Sequence, residues 1–297
     1  MERSPSTDTT NDAAARDVTR DGPAADATTD GPPPPPADAT VDADATVDTA
    51  PPPDATVDSP PPPPIKAYRL NDLTLADPHV YYNNCSTDLT WIFNSNMSGA
   101  ILNDRDNDGL LDFSYVLVIR PFSLAIGQQG DVEIARADCV SQSKCTRTLS
   151  SQPALSKAPV TNYSGMTCLT TTVGGTNVAS HPVIEPPGFC FVSQPRDLQL
   201  TVNKVPIKLR DAQIAAHYGP KGDVLYDGLL RGFLTQADAA NTVLPPDFPI
   251  SLLRGRTLES ILCATGANSD ADVHSTYGAG WWMFFNFIGG KLSYTEI

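Results

Sequence analysis

The sequence predicts a mostly β protein: an antiparallel β-sandwich of jelly-roll type with one or two short helices, preceded by a disordered stalk. Three observations support this fold class. Many short apolar segments alternate with polar residues, helix signals are few, and the connections are rich in Gly and Pro. We therefore expect a stalk over residues 1–64 and a single disulfide-stapled β domain over residues 65–297.

The first 64 residues have the composition of a low-complexity spacer. They contain 13 acidic and 3 basic residues and 15 of the 28 prolines, and they lack Phe, Trp, Tyr, Leu and Ile. The unit Asp-Ala-Thr-Val-Asp recurs at 38–42, 44–48 and 54–58. Such a segment cannot bury enough apolar surface to offset the entropy cost of ordering, so we expect it to be extended and disordered.

Most of the negative charge belongs to this spacer. The chain carries a net charge of −14, of which −10 falls within residues 1–64 and −4 within the remainder. Binding to nucleic acid needs a basic stripe, and the sequence has no Lys/Arg cluster of that kind. It also has no run of 18 apolar residues. We therefore expect neither a nucleic-acid partner nor a membrane-spanning segment.

The domain opens with segments typical of strands, at residues 68–76, 90–93, 113–120 and 132–137. Residues 115–119 are apolar at every position, which is typical of a central strand covered on both faces.

Later segments alternate strictly between apolar and polar residues. Residues 198–203 place Leu198, Leu200 and Val202 on one face, as a half-buried strand requires. Residues 205–209 repeat the pattern, and Pro206 predicts that this strand lies at a sheet edge, because proline cannot donate a ladder hydrogen bond.

Two short helices are predicted from capping residues. Thr235 begins one that runs to Leu244, and Thr257 begins a second that ends near Gly266. The stretch 141–187 is rich in Ser, Thr, Gly and Pro and has only weak strand signals. We expect long loops there, held by disulfides in place of core packing.

The most aromatic segment covers residues 278–287 and should form a strand with one face in the core. Alternation places Trp282 and Phe284 on the other face. If that face is exposed, the two rings form a platform that could stack on a sugar or an apolar partner. The alternative is a central strand that is buried on both faces.

All six cysteines lie in the domain. They are Cys85, Cys139, Cys145, Cys168, Cys190 and Cys263. Their even number predicts three disulfides and hence an oxidising compartment. Of the 15 possible pairings we expect the one that joins near neighbours, Cys139–Cys145 and Cys168–Cys190, while Cys85–Cys263 closes a long loop. Zinc ligation and reduced thiols are the alternatives. Because Met-Glu-Arg-Ser offers no apolar signal region, we expect the export signal to be removed or to lie upstream of the given start.

One segment, residues 104–112, has a pattern that predicts metal chemistry. Carboxylates stand at loop positions 1, 3, 5 and 9, glycine stands at position 6, and a carbonyl is available at position 7. These residues are Asp104, Asp106, Asp108, Asp112, Gly109 and Leu110. Ca²⁺ takes six to eight oxygen ligands from a tight turn, and four carboxylates without a cation would repel one another. The loop resembles those of thrombospondin type 3 repeats, dockerins and other extracellular calcium modules.

The loop departs from an EF-hand at position 12. Tyr115 stands there in place of the bidentate Glu, and the chain continues into a strand. We therefore expect weak affinity, on the order of 10⁻⁴ M, at the extracellular end of the range. The alternative is an acidic turn that binds no metal.

Signals for catalysis are weak. Ser141-Gln-Ser-Lys144 matches S-x-x-K, but neither S-D-N nor K-T-G follows it. The four histidines stand singly, without H-E-x-x-H, and we interpret His181 near Glu185 as an ordinary loop pair. We assign no catalytic residue, and the sequence favours a protein that is not an enzyme.

The whole chain resembles the exported lipoproteins of myxobacteria and related bacteria. The resemblance rests on the Asp/Ala/Pro stalk, the calcium loop leading into Val-Leu-Val-Ile-Arg-Pro121, the scattered cysteines, the segment 228–233 and the Gly-Trp-Trp near the end. It implies an extracellular or outer-membrane location and a lipid anchor upstream of the given start. That family has no assigned activity to transfer.

Together these observations predict a non-enzymatic cell-surface or secreted domain with a structural calcium loop and a cell-surface or glycan ligand. The alternative is a secreted carbohydrate-binding or carbohydrate-active protein. A pair of exposed carboxylates in a groove beside the aromatic segment would favour that alternative.

Overall fold

The computed structural model describes residues 64–297; the predicted stalk therefore lies outside the described residues except for Pro64. Seventeen strands and three α-helices follow in chain order. The strands are β1 (Lys66–Asp77), β2 (Tyr81–Tyr82), β3 (Thr87–Asp88), β4 (Tyr115–Arg120), β5 (Gln129–Arg136), β6 (Asp138–Ser141), β7 (Lys144–Arg147), β8 (Ala154–Thr167), β9 (Thr172–Val173), β10 (Thr176–Asn177), β11 (Pro187–Ser193), β12 (Arg196–Val202), β13 (Val205–Tyr218), β14 (Leu225–Thr235), β15 (Asp272–His274), β16 (Gly278–Lys291) and β17 (Ser293–Glu296). The helices are α1 (Thr90–Leu102), α2 (Gln236–Asn241) and α3 (Leu258–Ile261), with short 3₁₀ turns at Pro220–Gly222 and Ser251–Leu253.

Eight antiparallel strands form a sheet that closes on itself. Their order is β1-β4-β5-β8-β11-β13-β14-β16, and β1 pairs with β16 as well as with β4. The prediction of a mostly β, antiparallel fold with few short helices is confirmed. The two-sheet sandwich of jelly-roll type that we expected is instead a single sheet closed into a barrel, because β1 and β16 pair with each other. The alternation of apolar and polar residues does not distinguish these two arrangements.

Alternation along these strands separates an inner core from two outer clusters. Tyr68, Leu117 and Phe285 belong to the large inner cluster. Val116 and Val118, on the other face of β4, pack in a second cluster with Cys139 and Cys145. A third cluster on the opposite face of β14 and β16 is covered by a segment comprising residues 168–186, which we call the covering segment.

The strand predictions that rested on strong patterns are confirmed. Residues 115–119 are buried at every position in β4. In β12, Leu198, Leu200 and Val202 are buried while Gln199 is exposed. Residues 205–209 of β13 pair with β12, whereas pairing with β14 begins at Arg210. The end of β13 that carries Pro206 is thus at an edge, as proline requires.

Residues 90–93 were predicted as a strand, and this prediction is wrong. They begin helix α1, whose buried side chains include Phe93, Met97, Ala100 and Ile101. These positions recur at intervals of three and four residues, which places them on one helix face against the inner core. The apolar start of the segment has a strand-like composition, but the spacing over the following turn is helical.

Residues 141–187 were predicted to be long loops, and this prediction is wrong for the middle of the stretch. The 14-residue strand β8 pairs with β5 and β11 inside the closed sheet. Its sequence is rich in Ser, Thr and Gly because long parts of its outer face are exposed. Of the β8 residues, only Ala158 and Val160 belong to the buried inner cluster. The alternation of apolar and polar residues along β8 is therefore short.

Both predicted helices begin at the expected caps and are shorter than expected. The Thr235 hydroxyl accepts a hydrogen bond from the Asp238 N–H at 3.0 Å, and the Thr257 hydroxyl accepts one from the Ser260 N–H at 3.3 Å. Each cap satisfies one of the free N–H groups of a first helical turn. In residues 64–297, no helix is long and apolar enough to cross a membrane.

All six cysteines are paired as predicted. Cys139–Cys145 links β6 to β7, Cys168–Cys190 links the covering segment to β11, and Cys85–Cys263 joins positions 178 residues apart. Neither zinc ligation nor reduced thiols describes these residues. Three disulfides are compatible with an oxidising compartment.

Candidate metal centres

The predicted calcium loop lies between helix α1 and strand β4. Its ends are held by the backbone, since the Asp112 N–H donates to the Asn103 carbonyl at 3.1 Å and the Phe113 N–H donates to the Ala100 carbonyl at 3.1 Å. The buried Arg69 guanidinium also donates hydrogen bonds to the carbonyls of Ile101 and Phe113, at 2.6 and 2.9 Å. The loop therefore projects from a closed, hydrogen-bonded base.

Within the loop, carboxylates accept hydrogen bonds from the backbone of the turn. Asp104 accepts from the N–H groups of Asp108 and Gly109, at 3.2 and 2.8 Å, and Asp108 accepts from Leu110 at 2.8 Å. Gly109 has a φ of +89°, a conformation that disfavours residues with a side chain. Glycine at position 6 therefore has the role that the sequence pattern predicted for it.

The structure brings three of the four predicted carboxylates together. One oxygen each of Asp104, Asp106 and Asp108 lies within 4.8 Å of the others. Asp112 instead accepts a hydrogen bond from the Arg105 N–H at 3.0 Å, and its other oxygen lies 4.0 Å from the Arg105 side chain. The predicted carbonyl ligand, that of Leu110, follows directly after Gly109 in the same turn.

Crowding of these charges has an electrostatic consequence. Partial desolvation and the neighbouring Asp108 carboxylate raise the pKa of Asp106 above its usual range. The cluster is nevertheless on the surface, where water screens repulsion. Beside it lies a cleft of about 740 Å³, lined in part by Asp106, Arg136 and Lys204.

Trp282 and Phe284 do not form an exposed platform. Trp282 is 4% exposed and Phe284 is fully buried. Both pack under the covering segment, against Leu169 and the partly buried Val173 and Val183. The ligand-binding hypothesis for these rings is therefore wrong, and the alternative of a central strand buried on both faces is correct.

A second cluster combines a histidine with carboxylates from distant segments. Asp77 ends β1, His181 lies in the covering segment, and Asp270 precedes β15. The His181 Nε2 atom is 3.1 Å from an Asp270 oxygen and 3.9 Å from an Asp77 oxygen. One ligand atom of each residue lies within 4.8 Å of the others.

His79 and two further carboxylates surround this cluster. The His79 ring stacks on the His181 ring, with centroids 3.3 Å apart, and its Nδ1 atom is 3.0 Å from Asp88. The backbone N–H of His79 donates to the Asp270 carboxylate at 3.1 Å, and the backbone N–H of Trp282 donates to the Asp272 carboxylate at 2.9 Å. His79 and Asp272 thus fix the backbone on both sides of the cluster.

Burial dominates the electrostatics of these residues. It raises the pKa of Asp77 to about 8, and the Asp270 carboxylate adds to this effect. Burial likewise raises the pKa of Asp272 to about 6. Burial and the neighbouring His181 lower the pKa of His79, so the neutral imidazole is favoured. In each case burial disfavours the charged form of the side chain.

Sequence reasoning missed this cluster and misinterpreted His181. Its partner near in sequence, Glu185, accepts instead from the backbone of Thr171 at 2.9 Å. The available signals are the pairs Asp77-Pro-His79 and Asp270-Ala-Asp272. Each pair has two potential ligands at alternate positions, but nothing in the sequence indicates that they meet His181.

No protein-family model matches this chain, no curated protein matches its sequence, and no solved structure matches it.

Proposed function

We propose that the domain is a non-enzymatic, extracellular or cell-surface module of a bacterium, in which Ca²⁺ bound by the 104–112 loop stiffens the junction between α1 and β4. The observation that carries the proposal is the convergence of the Asp104, Asp106 and Asp108 carboxylates within 4.8 Å around a glycine turn. Hard oxygen ligands on a tight turn are the arrangement that Ca²⁺ prefers.

The position of the loop supports a structural role for the ion. The loop begins two residues after α1 ends, and its base is held by the Asn103 and Ala100 carbonyls and by buried Arg69. A cation that neutralises three crowded carboxylates would stabilise the turn without changing its base. The ion would then act on stability and on the shape of the adjacent cleft.

Partner binding fits this cleft better than it fits the aromatic strand. The cleft lies beside the loop and carries Arg136 and Lys204 as well as Asp106. The carbohydrate-active alternative called for carboxylates in a groove beside residues 278–287, but Trp282 and Phe284 are covered. We therefore favour a cell-surface or glycan ligand at the calcium-loop cleft, bound without chemical change.

The proposed location rests on the disulfides and on the sequence. The three disulfides support maturation under oxidising conditions. The acidic, proline-rich composition of residues 1–64 and the resemblance to exported lipoproteins support display at the outer surface. A lipid anchor upstream of the given start belongs to the same proposal.

The direct test is calorimetric titration of the full, oxidised chain with Ca²⁺. We expect one ion to bind with a Kd on the order of 10⁻⁴ M. Asp106→Asn should abolish the binding heat, because it removes one ligand charge with little change in shape. Asp72→Asn is the matched control, since Asp72 is exposed on β1 outside the loop. Absence of binding heat in the unchanged chain would contradict the calcium proposal.

A further inference from the structure

We propose that Asp77, His181 and Asp270 form a second metal site, which takes a divalent transition metal with mixed nitrogen and oxygen ligands, represented by Zn²⁺. This site is independent of the calcium loop, and its argument does not use the proposed function. It rests on the geometry of the ligand atoms, on the burial of Asp77 and on the arrangement of the neighbouring histidine.

The ligand atoms are already close enough to share one ion. An oxygen of Asp77, the His181 Nε2 atom and an oxygen of Asp270 lie within 4.8 Å of one another. Zinc binds imidazole nitrogen and carboxylate oxygen at about 2.0–2.2 Å, so an ion between the three would require small side-chain adjustments. The ligands come from three different segments, which is a geometry that local turn formation does not produce.

The second, independent observation is the unpartnered carboxylate of Asp77. Asp77 is 1% exposed, and within residues 64–297 neither of its carboxylate oxygens has a hydrogen-bond partner of good geometry. A buried carboxylate without a partner is costly, whereas buried charges in proteins are normally paired or coordinate a metal. One of these oxygens lies in the cluster, 3.9 Å from His181 Nε2.

The neighbouring histidine holds the His181 ring and a carboxylate of the cluster in place. The His79 ring stacks on the His181 ring, with centroids 3.3 Å apart and an interplanar angle of 9°. The His79 N–H donates to the same Asp270 oxygen that approaches His181, as an outer-shell group does when it orients a ligand.

The chemistry of the ligands distinguishes this site from the calcium loop. Calcium takes six to eight oxygens, whereas imidazole is a ligand of Zn²⁺ and similar ions. The two carboxylates balance the charge of a dication, and the imidazole supplies a third ligand. Three protein ligands leave a fourth coordination position for water. His181 is 23% exposed at its side chain, which provides an entry path from solvent.

A metal here would join three separately held parts of the fold. Asp77 belongs to the closed sheet, His181 lies within the loop closed by Cys168–Cys190, and Asp270 follows Cys263 in the chain. The ion would therefore fasten the covering segment over Trp282 and Phe284.

The test is titration of the full, oxidised, chelator-treated chain with Zn²⁺, and with Co²⁺ for its visible absorption. We expect one Zn²⁺ per chain, and a Co²⁺ spectrum that shows nitrogen and oxygen ligation. Asp77→Asn and His181→Gln should each weaken Zn²⁺ binding by at least about 100-fold, the upper end of the loss seen for outer-shell partners. His217→Gln is the matched control, because His217 lies in β13 outside the cluster, and it should bind as the unchanged chain does.

Two results would overturn the proposal. The first is absence of stoichiometric Zn²⁺ binding by the unchanged chain. The second is retention of its affinity in Asp77→Asn, which preserves side-chain shape and replaces the buried carboxyl with a neutral amide, so that it should fold without metal. Asp106→Asn separates the two sites, since it should leave Zn²⁺ affinity unchanged while it removes Ca²⁺ binding.

Discussion

The two acidic clusters of this domain differ in sequence range, in burial and in how their charges are balanced. The calcium loop takes its carboxylates from residues 104–108, on the surface. The second cluster takes Asp77, His181 and Asp270 from segments that are far apart in the chain, and Asp77 is fully buried. Backbone N–H groups of the turn donate to the carboxylates of the first cluster, whereas the second encloses a carboxylate that has no hydrogen-bond partner of good geometry within residues 64–297.

A cluster that is easy to recognise in the sequence is therefore not necessarily the one that most needs a bound ion. A contiguous acidic loop is easy to recognise, yet it tolerates an empty state because solvent screens its charges. A buried carboxylate from an assembled site is hard to recognise, yet it needs a proton or a cation to be stable. Four experiments test this difference between the two clusters.

The largest effect is expected from Trp282→Ala. This change removes a buried ring between β16 and the covering segment, and it should lower the free energy of unfolding by about 3–5 kcal/mol. Because the covering segment carries His181, Zn²⁺ affinity should fall as well, while Ca²⁺ affinity should not. Urea unfolding and metal titration of the variant measure both effects; an equal loss at both metal sites would show that the sites are not independent.

The next effect concerns the Cys168–Cys190 disulfide, which closes the covering segment. Replacing both cysteines with Ser should cost about 3 kcal/mol, because the bridge restricts the unfolded chain over a separation of 22 residues. The measurement is the denaturant midpoint with and without Zn²⁺. If Zn²⁺ fastens the same segment, it should recover more stability in this variant than in the bridged chain.

A smaller effect is expected at a partly buried carboxylate that has a charged partner. Glu296 of β17 bonds Arg120 at 2.6 Å, and this hydrogen bond lowers the pKa of Glu296. A lowered pKa stabilises the fold above the unfolded value of about 4.3, and that stability is lost as the pH falls through the folded value. Glu296→Gln should cost about 1–2 kcal/mol at neutral pH.

The pH profile tests the cause of that loss. Stability of the unchanged chain and of Glu296→Gln, measured by urea unfolding, should converge as the pH falls through the lowered folded pKa of Glu296, below which the carboxyl is protonated in both folded and unfolded states. A constant difference between the two at every pH would mean that packing, and not charge, accounts for the loss.

The smallest effect is expected at the calcium loop. With a Kd of about 10⁻⁴ M, millimolar Ca²⁺ should stabilise the folded chain by about 1.4 kcal/mol, or a few degrees in melting temperature. Melting curves with Ca²⁺ and with chelator measure it, and Asp106→Asn should remove the difference. A shift that persists in this variant would place the ion elsewhere.

Much of the fold could be predicted because its signals are local. Apolar residues at every position of 115–119 indicated a central strand, and the cap at Thr235 indicated the start of a helix. Strand β8 was missed because its outer face is exposed and polar, so little of the pattern was visible. Helix α1 was missed because its first residues have strand-like composition.

The two candidate sites also differ in whether a local sequence pattern predicts them. Loop positions 104, 106 and 108 were predicted from spacing alone, and the structure brings these carboxylates together. Asp112 was expected to join them, but its bond to Arg105 depends on local side-chain packing. The cluster of Asp77, His181 and Asp270 depends on how β1, the covering segment and the approach to β15 meet, which no local pattern specifies.

The closure of the sheet has a consequence for how the protein is made. Tyr68, near the start of β1, pairs with Lys291 of β16. The β1 strand can pair with β4 earlier, but it cannot complete its pairing until β16 is present. Pairing between chain segments so far apart is slow, because loop-closure entropy is lost before the contacts form. The barrel therefore stays open until β16 has been synthesised and has paired with β1.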